Sequence, residues 1–168
     1  MFARSRWALF GYYGLLIELM DDLPFVMKQI KKTGCLTAMD TDNSGISMEP
    51  LGRILPHLDL YFPNEIQGKK QTGEGIPEKM INAYRNVGAT GILGIKLGPD
   101  GALISPQKGK FFKVTAIEPP EKLKDTLGAG DSFFGGLIAG LARGLSIEDA
   151  GRLAAATGAC NVSAAGGT

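Results

Sequence analysis

Apolar residues along this chain alternate between short dense runs and runs spaced three or four apart. Trp7–Tyr13 reads as a buried strand. Between Glu18 and Lys32, Leu19, Leu23, Val26 and Ile30 fall on one helical face, with basic residues gathering before Gly34. A strand is predicted over Cys35–Asp40, a polar loop at Asp42-Asn43-Ser44-Gly45, a helix over Met48–Leu55 and a strand over Leu58–Phe62 stopping at Pro63. Pro77–Val87 forms a helix closed by Gly88. The rhythm then shifts to three strands, Gly91–Leu97, Ala102–Ser105 and Phe111–Ile117, joined by turns at Gly98-Pro99-Asp100-Gly101 and Gln107-Lys108-Gly109-Lys110. After Pro119-Pro120 a glycine-rich stretch leads into a helix reaching about Arg143. A second helix starts at Ser146, with Asp149 three residues on as in an N-cap arrangement. Strands alternating with helices predict an α/β fold whose sheet is mostly parallel and flanked by helices. With 168 residues and no linker or repeat, residues 1–168 are read as a single domain.

Composition narrows the function. Net charge is +1, from 18 basic and 17 acidic residues, which provides no bulk attraction to nucleic acid or anionic membrane. Glycine is the outlier, at 24 of 168 residues against a usual share of about 7%. The 11 residues between Arg6 and Glu18 are too few to span a bilayer, which takes about 20, and no small-residue cleavage site follows them. The two cysteines, Cys35 and Cys160, show no metal spacing and are read as free thiols of a cytoplasmic protein. A lone histidine, His57, excludes a histidine cluster and disfavours Ser-His hydrolase chemistry. No metal-ligating set is predicted.

Several phosphate and nucleophile motifs fail on inspection. Gly68-Lys69-Lys70 and Gly109-Lys110-Phe111 lack the Ser or Thr that ends a Walker loop. Gly128-Ala129-Gly130 meets Phe133 where a dinucleotide fingerprint needs its third glycine. Around Ser132 the second glycine of a nucleophile elbow is replaced by Phe134. What remains is Asp125-Thr126-Leu127-Gly128-Ala129-Gly130-Asp131-Ser132-Phe133. A glycine turn running into a helix points backbone N–H groups at one spot and adds the positive end of the helix. A carboxylate at the mouth of such an anion site, here Asp131, suits proton acceptance from a hydroxyl attacking a phosphoryl group.

That segment resembles the second signature of the PfkB (ribokinase-like) carbohydrate kinases, D-T-x-G-A-G-D-x-F, with each fixed position present. Asp59 through Asn64 is similar to the family's D-x-x-x-P-N strand end, Leu97–Gly101 to its L-G-x-x-G hairpin, and Ala154–Gly167 to its closing helix. The likeness covers nearly the whole chain but only the C-terminal portion of the family pattern. It implies the C-terminal part of a ribokinase-like, Rossmann-like fold, with the sugar-binding part and its lid absent from these residues. It also implies transfer of the ATP γ-phosphoryl group to a hydroxymethyl group of a sugar or similar small alcohol, with Mg²⁺. On the matching positions Asp131 is the base, and the backbone N–H groups of Gly128, Ala129, Gly130 and Asp131 form the anion hole. Asn64, Lys96, Gly98 and Gly101 face the nucleotide phosphates, and Asn161 approaches adenine. Asp125 and Thr126 shape the turn. One position departs from the pattern: Gln67 stands where the family has a glutamate that helps to hold hydrated Mg²⁺, and it is expected near the surface. The partners implied are ATP or ADP and a sugar-like molecule, with self-association or association with the N-terminal half through exposed sheet edges. The alternative is a catalytically inactive nucleotide-binding or regulatory fragment of the same family.

Overall fold

The computed structural model describes residues 2–41 and 47–166. The predicted loop at Asp42-Asn43-Ser44-Gly45 lies outside the described residues. Six strands form one mixed sheet in the order β1-β2-β3-β4-β5-β6. They are β1 (Trp7–Phe10), β2 (Leu36–Met39), β3 (Leu60–Tyr61), β4 (Ile92–Lys96), β5 (Ala102–Ser105) and β6 (Phe112–Val114). β1 to β4 are parallel, in registers such as Leu9 beside Ala38 and Tyr61 beside Leu93. The connections into β5 and β6 are too short for a parallel crossover, so the sheet ends in hairpins. Helices α1 (Leu23–Lys31), α2 (Met48–Ile54), α3 (Glu65–Thr72), α4 (Pro77–Asn86), α5 (Ala129–Ala142) and α6 (Ile147–Asn161) complete the chain. No helix among the described residues is long and apolar enough to cross a membrane.

Contacts divide the molecule into two compact units, Met1–Ile95 with Leu103–Phe112, and Lys96–Ala102 with Lys113–Thr168. In the first, α1 brings Ile30 against Ala8 and Cys35, with Phe10 and Val26 alongside. β1 is shorter than predicted: Tyr12 takes a left-handed conformation (φ 50°), and a 3-10 turn over Tyr13–Leu15 follows. That turn lets Tyr13 become fully buried. The predicted strand over Leu58–Phe62 keeps only Leu60 and Tyr61. Asp59, just before β3, keeps its backbone bonded on both sides, its N–H donating to the Thr37 carbonyl (2.9 Å) and its carbonyl accepting from the Ile92 N–H (2.8 Å). Its carboxylate accepts from the Thr37 N–H (2.9 Å) and from the Lys31 ammonium (2.7 Å).

Buried polar groups in this unit are held by one another. Gln71 on α3 accepts hydrogen bonds from Tyr61 on β3 (2.9 Å) and Tyr84 on α4 (2.6 Å). The two rings meet edge to face, with centroids 5.4 Å apart. Burial pushes both phenols well above their ordinary range, so they act as donors throughout the physiological interval. The Arg85 guanidinium donates to the carbonyls of Ala89 (3.0 Å), Gly91 (2.6 Å) and Ser105 (3.0 Å), joining the end of α4 to the end of β5. Arg85→Ala therefore strips three carbonyls of their donor inside a packed region. Its expected cost is about 2–4 kcal/mol, read as a lower urea midpoint; an unchanged midpoint would show that water replaces the guanidinium freely.

Candidate active site

The second unit is built around the start of α5. Asp125 shapes the approach, as expected: one carboxylate oxygen accepts from the Leu127 N–H (2.9 Å) and the other from the Gly166 N–H (3.2 Å). The backbone N–H groups of Lys124 and Asp125 also reach the Val162 carbonyl (2.9 and 3.4 Å), fastening this loop to the chain after α6. Gly128 then turns the backbone through φ 77°, a conformation that L side chains resist, and becomes the N-cap of α5. The Ala129 N–H turns back to the Thr126 carbonyl (3.3 Å), so Ala129 helps to close the turn. Gly130 and Asp131 follow in the first helical turn, where N–H groups have no intrahelical acceptor. The Asp131 side chain is exposed.

Lys96, the last residue of β4, is aimed at this turn. A Cβ placed on Gly130 would lie 3.3 Å from Lys96 Nζ. The ammonium thus rests directly over the Gly130 backbone, with its charge 5.9 Å from the centroid of the Phe134 ring. The lysine charge and the positive end of the helix are brought to the same turn. The arrangement is therefore chemically suited to an anion such as phosphate, with a carboxylate on the same turn to take a proton. Ser132 and Phe133 are held from behind, where Thr157 Oγ1 of α6 lies 2.8 Å from the Ser132 carbonyl.

The remaining predicted residues fall as follows. Gly98 and Gly101 both have positive φ, 58° and 89°, in the turn between β4 and β5. The Leu97 N–H donates to the Gly101 carbonyl (2.8 Å), and a Cβ on Gly101 would run into the Val114 carbonyl. Asn161 is buried at the end of α6, and its Oδ1 accepts no hydrogen bond among the described residues. Asn64 belongs to the first unit, where its side chain caps α3 by accepting from the Gln67 N–H (2.9 Å). The expectation of a surface Gln67 is corrected: it is 7% exposed, because its side chain returns to the Asn64 N–H and reaches the Thr41 carbonyl. Asn-x-x-Gln is itself a capping-box spacing, a signal present in the sequence that predicts α3. Cys35 is buried and Cys160 exposed, both as free thiols. Among the described residues no three His, Cys, Asp or Glu side chains gather to hold a metal.

Residues 20–168 match the pfkB family carbohydrate kinase pattern. The chain belongs to the pfkB family of carbohydrate kinases. Among relatives of the pfkB chain, 2-dehydro-3-deoxygluconokinase of Bacillus subtilis (strain 168) is 32% identical over 161 residues, covering 90% of this chain and 48% of that protein. Ribokinase of Arabidopsis thaliana is 29% identical over 137 residues, covering 78% and 35%. The structure of Arabidopsis thaliana ribokinase complexed with ribose and ATP superimposes with a TM-score of 0.83 over 98% of this chain and 52% of that one, at 24% identity. The pfkB chain thus spans about half the length, or less, of these relatives.

Two expectations follow for the turns of this pfkB site. Gly98→Ala meets open space and costs only its left-handed backbone, about 1 kcal/mol. Gly101→Ala adds the clash with Val114 and costs more than twice that. Equal thermal shifts for the two variants would show that the hairpin relaxes. The second concerns Asp125, whose carboxyl is held below its ordinary value first by the Leu127 N–H and then by the Gly166 N–H. For a depressed acid, the tie is complete above the ordinary carboxylate range and is lost as pH falls through the lowered value. Amide exchange at Leu127 and Gly166, corrected for intrinsic rate, should accelerate only in that acid range; a pH-independent protection would sever it from Asp125.

Proposed function

We propose that this chain is the nucleotide-binding, phosphoryl-transferring C-terminal portion of an ATP-dependent sugar kinase. The observation that carries the reading is the convergence of the Lys96 ammonium, the Gly130 backbone and the Asp131 carboxylate on one helix start. When bound, ATP supplies the γ-phosphoryl group. Lys96 and the first-turn N–H groups of α5, at Gly130 and Asp131, offset the negative charge on the transferring group. Asp131 accepts the proton of the sugar hydroxyl as the acceptor oxygen gains phosphorus and ADP leaves. Such transfers depend mainly on positioning and charge stabilisation, so this small apparatus is sufficient. The orphaned, buried Asn161 Oδ1 fits a donor on the adenine, and the Gly98–Gly101 turn, in the same unit, is assigned to the nucleotide phosphates. No carboxylate cluster gathers among the described residues, so Mg²⁺, when bound, would be held chiefly by nucleotide phosphates and water and would offset phosphate charge.

The acceptor is a sugar or similar small alcohol, in keeping with relatives named as kinases of 2-dehydro-3-deoxygluconate and ribose. The setting proposed is the cytoplasm. Leu9 on β1 and Leu36 on β2 are 55% and 42% exposed, which supports covering of that sheet edge by the sugar-binding portion of the fold or by self-association.

Two measurements test the reading. Calorimetry should show ADP binding by the folded protein, and none at millimolar concentration would overturn it. In the protein joined to its sugar-binding portion, Asp131→Asn should lower turnover by about 10²–10⁴-fold while ADP affinity holds or tightens. Near-normal turnover would reduce Asp131 to a helix-start residue. ADP binding without turnover in the joined parent protein would favour the inactive, regulatory form of the same nucleotide site.

A further inference from the structure

The carbonyls on either side of the Gly130-Asp131 pair both meet α6, at two adjacent residues of that helix. Thr157 Oγ1 donates to the Ser132 carbonyl (2.8 Å). A Cβ on the next residue, Gly158, would lie 3.4 Å from the Ala129 carbonyl, so the bare backbone of α6 packs against that peptide. All these residues belong to the second unit, as does Lys96. The stretch that carries the candidate base is thus held at both ends, while the Asp131 side chain remains exposed.

Helix α6 itself gives no reason for a hydroxyl here. Threonine is a poorer helix former than alanine, which fills the three positions before it, Ala154-Ala155-Ala156. The hydroxyl could also be satisfied within its own helix, where the Ala154 carbonyl lies 2.9 Å away. One proton serves both carbonyls as a three-centre bond, and the second arm crosses to α5. Gly136 admits that arm, because a Cβ there would run into Thr157 Oγ1. The arm ends on the residue that closes the first turn of α5 around Asp131: the Ser132 N–H donates to the Gly128 carbonyl (2.8 Å).

We propose that Thr157 is a positioning residue: its hydroxyl fixes the first turn of α5 through Ser132 and so holds the Asp131 carboxylate in the direction needed to take a proton from the acceptor hydroxyl. The catalytic part rests on the kinase reading; the tie between the helices does not. Thr157→Ala and Thr157→Ser together isolate the hydroxyl, because both lose the methyl group and only the second keeps the donor. Alanine also favours the helical conformation, so loosening in Thr157→Ala cannot arise from a weakened α6.

Amide exchange on this chain and steady-state kinetics on the protein joined to its sugar-binding portion test this. In Thr157→Ala, exchange at the Ser132 N–H should accelerate about tenfold, the worth of one hydrogen bond. Turnover should fall about tenfold with KM for ATP and for the acceptor unchanged, as expected when a reacting group is misplaced and binding is not. Thr157→Ser should stay near the parent in both readouts. On an Asp131→Asn background, Thr157→Ala should lower turnover no further, since it acts through that carboxylate. The proposal is overturned if Thr157→Ala keeps parent-like Ser132 exchange or parent-like turnover, if the serine and alanine variants lose equally, or if the loss persists in full on the Asp131→Asn background. Should Thr157→Ala unfold, Thr157→Val, which keeps the volume without the donor, carries the same readouts. A joined parent without turnover would overturn the kinase reading and the catalytic part with it, while Ser132 exchange still decides whether the tie exists.

Discussion

How closely α5 and α6 approach each other governs everything placed at the start of α5. A Cβ at Gly136 would run into the Thr157 hydroxyl, and one at Gly140 would sit 2.9 Å from the Ala150 Cβ. Two glycines facing alanines and a threonine let the helix backbones come together without side chains between them. The contact fixes where the first turn of α5 stands and brings Thr157 Oγ1 within 2.8 Å of the Ser132 carbonyl. The loop from Lys124 to Gly128 is then tied back to the chain after α6 through Val162 and Gly166. A bulkier residue at Gly136 would shift the helix carrying Asp131, even though it makes no contact with any ligand.

On this rigid base the electrostatics of the turn become specific. The Lys96 ammonium lies over the Phe134 ring and beside Gly130, where no Cβ stands in its way. The absence of that one carbon brings the lysine charge onto the peptide dipoles at the helix start. A charged carboxylate three residues into the helix interacts favourably with the same dipoles. One short element therefore combines a place for an anion with a group able to accept a proton. The family shown by residues 20–168 is one of carbohydrate kinases, and this combination is what the proposed phosphoryl transfer calls for.

The first unit solves a different problem, that of burying polar groups where two-residue β3 offers little ladder to absorb them. Asp59, Gln71 and Arg85 each serve several donors or acceptors drawn from different elements. An unsatisfied buried group costs about 1–3 kcal/mol, more than a typical hydrogen bond contributes. Such hubs consequently specify how helices and strands meet as strongly as apolar packing does. Gln67 belongs to this class, with its third bond reaching the Thr41 carbonyl.

Much of this was legible in the residues alone. β5 falls at Ala102–Ser105, α4 begins at Pro77 and is closed by Gly88, and the Ser146 hydroxyl caps α6 by accepting from the Asp149 N–H, all as the local pattern predicts. The glycine turn into α5 and its acidic third position were equally plain, because glycine conformations and helix starts are decided within a few residues. Other features were not local. Tyr13 leaves the predicted strand because it has a buried site to fill, and the Asp59 carboxylate, just before β3, meets Lys31 and Thr37. Gln67 is drawn inward by a carbonyl 26 residues away, and Lys96 finds Gly130 only once two distant segments pack together. The sequence by itself determined most of the elements, though its reading held no helix at α3, together with the family and the chemical character of the α5 turn, since those depend on neighbours along the chain. The aim of Lys96, the burial of Gln67 and the fit of α5 against α6 were decided by the tertiary structure, because burial and hydrogen bonding are settled by whichever groups folding brings into contact.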